Sequence, residues 1–135
     1  MCKPGDDKNY GSTATRDIEC LQALSRRVHY GKFVAEAKFC DPKYHDLYVQ
    51  LIKNKDRDAI MKLLTNEQVE LKLLERLKKK TLIYGQDLDN PTQACACDES
   101  AAGVKIDSDL VVKLYKDYVI PLTKEVEVLY LLNRI

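Results

Sequence analysis

From Ser12 to Cys40 the chain carries no proline, and Ile18, Leu21, Leu24, Val28 and Ala35 recur at the spacing of one helix face. A run of that length with that period predicts one long helix over 13–39, capped by Ser12 and stopped by Asp41-Pro42. The Asp41-Pro42 pair also reads as cap and first-turn proline for a second helix, 42–53, carrying Leu47, Leu51 and Ile52. A short third helix, 56–64, follows. Thr65 with Gln68 then forms a capping-box pattern opening a helix that runs to Tyr84, where Gly85 supplies the stop. Asp107 caps a last helix, 108–134, whose apolar positions include Leu110, Val111, Leu114, Tyr118, Leu122, Val126 and Leu129. Pro121 lies inside it and predicts a kink with a freed carbonyl near Asp117. Residues 85–106 have no period and read as an exposed loop.

The fold class is therefore all-α, a helical bundle, and 135 residues suit one domain over 1–135. The 22 basic side chains nearly cancel the 21 acidic ones, which excludes the sustained positive field of a nucleic-acid or anionic-membrane binder. No apolar run reaches the ~20 residues of a bilayer crossing, and the polar opening Met1 to Lys8 lacks the apolar core of a signal peptide. Five cysteines, an odd number at irregular spacings, fit free thiols in a reducing compartment, with the cytoplasm as the default. Cys95-Ala96-Cys97 lacks a second ligand pair, and neither His29 nor His45 is near it in sequence, so no metal site is expected.

Charges on an apolar stripe are the signal of a site, because surface helices keep charge on the outer face. Three of the expected helices show this anomaly. Arg27 and Lys38 are eleven residues apart, which at ~100° per residue brings them within about 20° of one direction. Their helical neighbours are Ala23, Leu24, Tyr30, Gly31, Val34 and Ala35, none of them acidic. Asn66 and Glu70 stand one turn apart ahead of Leu73, Leu74 and Leu77, and Thr123 and Glu127 stand one turn apart among Ile120, Tyr130 and Leu131. If the three stripes face one another, they enclose a pocket of two cations, two carboxyls, an amide and a hydroxyl, suited to an anionic ligand. The pattern equally fits buried ion pairs, Arg27 with Glu70 and Lys38 with Glu127, of no chemical consequence.

The segment Arg26-Arg27-Val28-His29-Tyr30-Gly31-Lys32-Phe33-Val34-Ala35-Glu36-Ala37-Lys38-Phe39 closely resembles the core helix of fungal and plant chorismate mutases. Lys8-Asn9-Tyr10-Gly11-Ser12 and Ile120-Pro121-Leu122-Thr123-Lys124-Glu125-Val126-Glu127-Val128 are similar to further segments of that family. The resemblance implies the helical bundle of the eukaryotic AroQ type and the rearrangement of chorismate to prephenate, a step of phenylalanine and tyrosine synthesis that needs no cofactor. It implies Arg27, Lys38, Glu70 and Glu127 as catalytic residues. Arg27 would lie on a substrate carboxylate, Lys38 near a carboxylate and the ether oxygen, Glu70 on the hydroxyl and Glu127 at the ether oxygen. Asn66 and Thr123 would bind substrate beside them. Asn9, Gly11, Ser12 and Thr15 resemble an effector site for aromatic amino acids such as tyrosine and tryptophan. Family members are longer, with N-terminal helices that carry a further substrate-binding arginine, effector-binding arginines and much of a homodimer interface. Against that pattern this chain reads as a fragment or a reduced relative, with a plastid location if a transit peptide belongs to it. A catalytically inactive or regulatory subunit of the same fold is the alternative.

Overall fold

A computed structural model describes residues 5, 6, 8–85 and 107–135. Among these residues the regular structure is helical, with no strand. In chain order the elements are α1 (Tyr10–His29), α2 (Gly31–Phe39), α3 (His45–Lys53), α4 (Arg57–Leu64), α5 (Glu67–Tyr84), α6 (Ser108–Leu114), a π-helical turn (Tyr115–Val119) and α7 (Ile120–Leu132). No described helix is long and apolar enough to cross a membrane. Apart from Gly85, the expected loop 85–106, with Cys95 and Cys97, lies outside the described residues.

Several boundaries move for identifiable reasons. The first helix starts at Tyr10, with Asn9 at the cap position. Ser12 sits inside the first turn and donates its hydroxyl to the Asn9 side chain. The long helix expected over 13–39 is interrupted at Tyr30, which keeps helical dihedrals (φ −60°, ψ −19°) while Phe33 N–H tightens onto its carbonyl at 3.1 Å. Gly31, a weak helix former, follows immediately. The second helix begins at His45 and not at Pro42, because the Asp41 side chain accepts from Lys43 N–H (3.0 Å) and closes a turn first. Thr65 does not open α5 with a capping box. Its backbone is extended (φ −77°, ψ 127°) and its hydroxyl donates back to the Met61 carbonyl at 2.8 Å, finishing α4. The perturbation expected around Pro121 takes the form of the π turn just before α7, in whose first positions the proline sits. The cap Asp107, accepting from Asp109 N–H at 2.9 Å, stands where the pattern puts it, and Asp56, accepting from Ala59 N–H at 3.0 Å, caps α4.

The contacts divide the chain into two compact units, Glu67–Asp117 and the pair of segments Cys2–Asn66 and Tyr118–Ile135. In the first, α5 packs on α6 and Lys78 reaches Asp109 at 3.2 Å. In the second, α7 is the central element and packs against α2, α1 and α4. Its core is one apolar cluster of Ala35, Phe39, Tyr48, Ile52, Ile60, Leu64, Val128 and Leu131. Burial of that cluster is what holds α2, α3, α4 and α7 together, at roughly 1.5–3 kcal/mol per large side chain. Helix α1 contributes no fully buried residue; of its apolar stripe Leu24 and Val28 are half-buried, while Ile18 and Leu21 stay exposed.

An ionic clamp ties the end of α7 to α2. The Glu36 carboxylate accepts from Tyr130 O–H (2.7 Å) and from the Arg134 fork (3.0 and 3.1 Å). Arg134 and Tyr130 together hold the Glu36 carboxyl down to about 2, from an ordinary 4.5. A depressed carboxyl favours folding above its unfolded value and loses that contribution as pH falls from 4.5 toward about 2. Glu36→Gln is therefore expected to lower the urea midpoint at neutral pH and to flatten its decline across that acid window.

Candidate active site

Within the second unit, α1, α2 and α7 each bring part of a polar cluster onto an apolar background. Lys38 stands on α2 next to the buried Phe39, and its Nζ donates to the Leu64 carbonyl at 2.9 Å. That carbonyl lies at the C-terminal end of α4, where helix geometry leaves acceptors unmatched. The same Nζ is 3.6 Å from Glu127 Oε2. Two acceptors use part of the ammonium's three-donor capacity, and the side chain is still 37% exposed, so a bound anion can reach it.

Glu127 is the unusual group. Only 9% of its side chain is accessible, on a helix turn otherwise filled by Val128 and Leu131. Burial pushes its carboxyl above the ordinary carboxylate range, while Lys38, then Lys124 and Arg27, pull the other way. The Lys38–Glu127 ion pair that the sequence offered is thus present, and desolvation outweighs the pull of the cations on the carboxyl. The lysine also takes its closer bond from a backbone carbonyl rather than from the carboxylate. Thr123, one turn earlier and buried, donates its hydroxyl to the Val119 carbonyl at 2.6 Å. Arg27, half-buried on α1, acts on Glu127 through its charge.

Of the six residues singled out in the sequence, the structure thus brings Arg27, Lys38, Thr123 and Glu127 together in one unit. Asn66 is exposed at the end of that unit's first segment, and Glu70 is half-buried in the first turn of α5, in the other unit. Asn9, Gly11, Ser12 and Thr15, the residues expected to meet an aromatic effector, are all exposed at the start of α1. Thr15 turns its hydroxyl onto the Gly11 carbonyl at 3.0 Å. An open cleft beside His29, Lys32, Tyr130 and Arg134 contains none of the six, nor any buried carboxyl. No group of three potential metal-ligating side chains occurs among the described residues.

Sequence reasoning missed two parts of this cluster. The Leu64 carbonyl is main chain and leaves no mark on side-chain pattern. Gly31 was visible as the small residue between Arg27 and Lys38, but its close approach to α7 is a tertiary fact.

Residues 9–128 match the family described as chorismate mutase type II. The chain is 54% identical over 134 residues to the chorismate mutase of Saccharomyces cerevisiae, covering 98% of this chain and 48% of that one. A crystal structure of the Candida albicans chorismate mutase in complex with L-Trp superposes with a TM-score of 0.81 at 45% identity, over 98% of this chain and 45% of that one. A crystal structure of the protein AtCM1, with tyrosine bound in its allosteric site, gives 0.77 at 48% identity, over 98% and 48%. The chain spans about half the length of the curated relatives it matches. With a matching family region that includes all six polar positions, the chain belongs to the type II chorismate mutases.

Proposed function

We propose that the Arg27, Lys38 and Glu127 cluster binds chorismate and promotes its rearrangement to prephenate. The observation that carries this reading is a buried Glu127, its carboxyl pushed above the ordinary carboxylate range by burial, beside the ammonium of Lys38. Chorismate is a dianion, and its rearrangement breaks a C–O bond and forms a C–C bond in one step without nucleophile or proton transfer. The protein's task is to hold the reactive conformer and to stabilise charge that builds on the ether oxygen. Arg27 offers a planar fork to one carboxylate, which removes conformational freedom before the step. Lys38 and the protonated Glu127 both donate to the ether oxygen. Thr123 fixes the turn of α7 that presents Glu127, while Asn66 and Glu70 are assigned to the pocket wall and the substrate hydroxyl by resemblance. No cofactor enters this scheme.

The residues Asn9, Gly11, Ser12 and Thr15 are assigned to an aromatic amino acid effector, tyrosine or tryptophan. The support is their exposure on one helix start and the bound amino acids of the two crystal structures above. A homodimer is the assembly the family resemblance implies.

Purified chain incubated with chorismate should yield prephenate, read as phenylpyruvate after acid treatment. Arg27→Ala should reduce that yield about tenfold or more, the usual worth of one bidentate charged contact. A yield indifferent to Arg27→Ala would remove the arginine from the scheme.

A further inference from the structure

We propose that Gly31 is a positioning residue whose missing side chain lets α2 come close enough to α7 to seat Glu127 and Thr123 against the Arg27 and Lys38 stripe. Gly31 opens α2 and is buried. A Cβ built there would lie 2.9 Å from the Thr123 carbonyl oxygen, 3.0 Å from Glu127 Cγ and 3.0 Å from Thr123 Cγ2. These contacts all fall on the two α7 residues of the candidate site. Glu127 Cγ carries the carboxyl carbon itself, so whatever displaces it displaces the acid. The Thr123 carbonyl is main chain and cannot rotate aside, so a methyl group at position 31 must either lift α7 or turn Glu127 away.

Either response moves the carboxyl toward water and away from the groups now facing it. Those are Lys38 from α2, Arg27 from α1, Tyr48 from α3 and Lys124 from its own helix. From α4, the Leu64 carbonyl holds Lys38 in place. The second glycine of the paired helices makes the contrast. A Cβ at Gly11 meets nothing within 4 Å, so alanine there gains helix propensity at no steric cost.

The test is a carboxyl-carbon NMR titration of Glu127 in the whole chain, with urea unfolding alongside, for wild type, Gly31→Ala, Gly11→Ala and Gly31→Ala/Thr123→Ser. In wild type Glu127 should titrate above the ordinary 4.5. Gly31→Ala should bring that titration down toward 4.5 and shift the unfolding equilibrium about tenfold toward the unfolded chain, as overpacking does. Thr123→Ser, which deletes Cγ2 and keeps the hydroxyl, should restore part of both. Gly11→Ala should leave the Glu127 titration where it was.

A Glu127 that titrates alike in wild type and Gly31→Ala overturns the inference, as does a double variant no better than the single one. If Gly31→Ala alone does not fold, the double variant decides: a recovered cooperative transition supports the inference, and its absence refutes it. The consequence for turnover rests on the proposed reaction, but the titration does not. A chain whose Glu127 shifts as described yet forms no prephenate removes the reaction and keeps the spacing.

Discussion

On the proposed reaction, Lys38→Ala is expected to lower the rate of prephenate formation about a hundredfold to a thousandfold, the usual loss for one preorganised donor at a site of developing negative charge. The loss is large because the ammonium is already in place before substrate arrives. It is tethered to the Leu64 carbonyl at 2.9 Å and stands 3.6 Å from Glu127. Little reorganisation is needed at the moment the ether bond lengthens. The fold should survive the change. At 37% exposure the lysine is open to solvent, and water can replace it on the Leu64 carbonyl. Glu127 loses the strongest influence favouring its ionised form, so its carboxyl should move further above the ordinary range. The substitution therefore separates chemistry from stability, and single-turnover kinetics beside a urea melt would show both.

On the same proposal, Glu127→Gln is expected to abolish a loss of rate at alkaline pH while keeping most of the rate at acid pH. Burial raises the Glu127 carboxyl above 4.5, against the pull of Lys38, Lys124 and Arg27. If the protonated acid is the donor to the ether oxygen, the active fraction falls as pH climbs through that raised value. Glutamine donates at every pH, so its profile should be flat on the alkaline side. Stability moves in the same sense. A carboxyl raised in the native state binds its proton more tightly than the unfolded chain does, so its contribution to stability shrinks as pH rises above 4.5 and levels off beyond the native value. Glu127→Gln should remove that part of the slope in urea midpoints. A variant with the wild-type alkaline decline would take Glu127 out of the donor role.

How far the sequence reaches depends on the kind of information each feature carries. Local pattern was enough for the presence of the helices, because apolar period and a cap such as Asp107 act within one or two turns. It misled where two local devices compete for one residue. Thr65 can cap α5 or finish α4, and only the packing of Leu64 in the core decides for the second. Asp41 closes its own turn before α3 can start. The cations Arg27 and Lys38 were legible as one stripe because a helix repeats its direction after eleven residues. That Glu127 and Thr123 meet the same stripe is a matter of α2 lying on α7, which no period encodes. The resemblance of two segments, 26–39 and 120–128, to one family implies that link.

Calorimetric titration of chorismate into the chain and into Lys38→Ala, at a pH where Glu127 is protonated, tests the dianion pocket most directly. Saturable binding to the chain that weakens at least tenfold in Lys38→Ala is the expected result, since a charge-assisted contact would be lost. Equal heats from both proteins would contradict the assignment of this cluster as the place where the substrate sits.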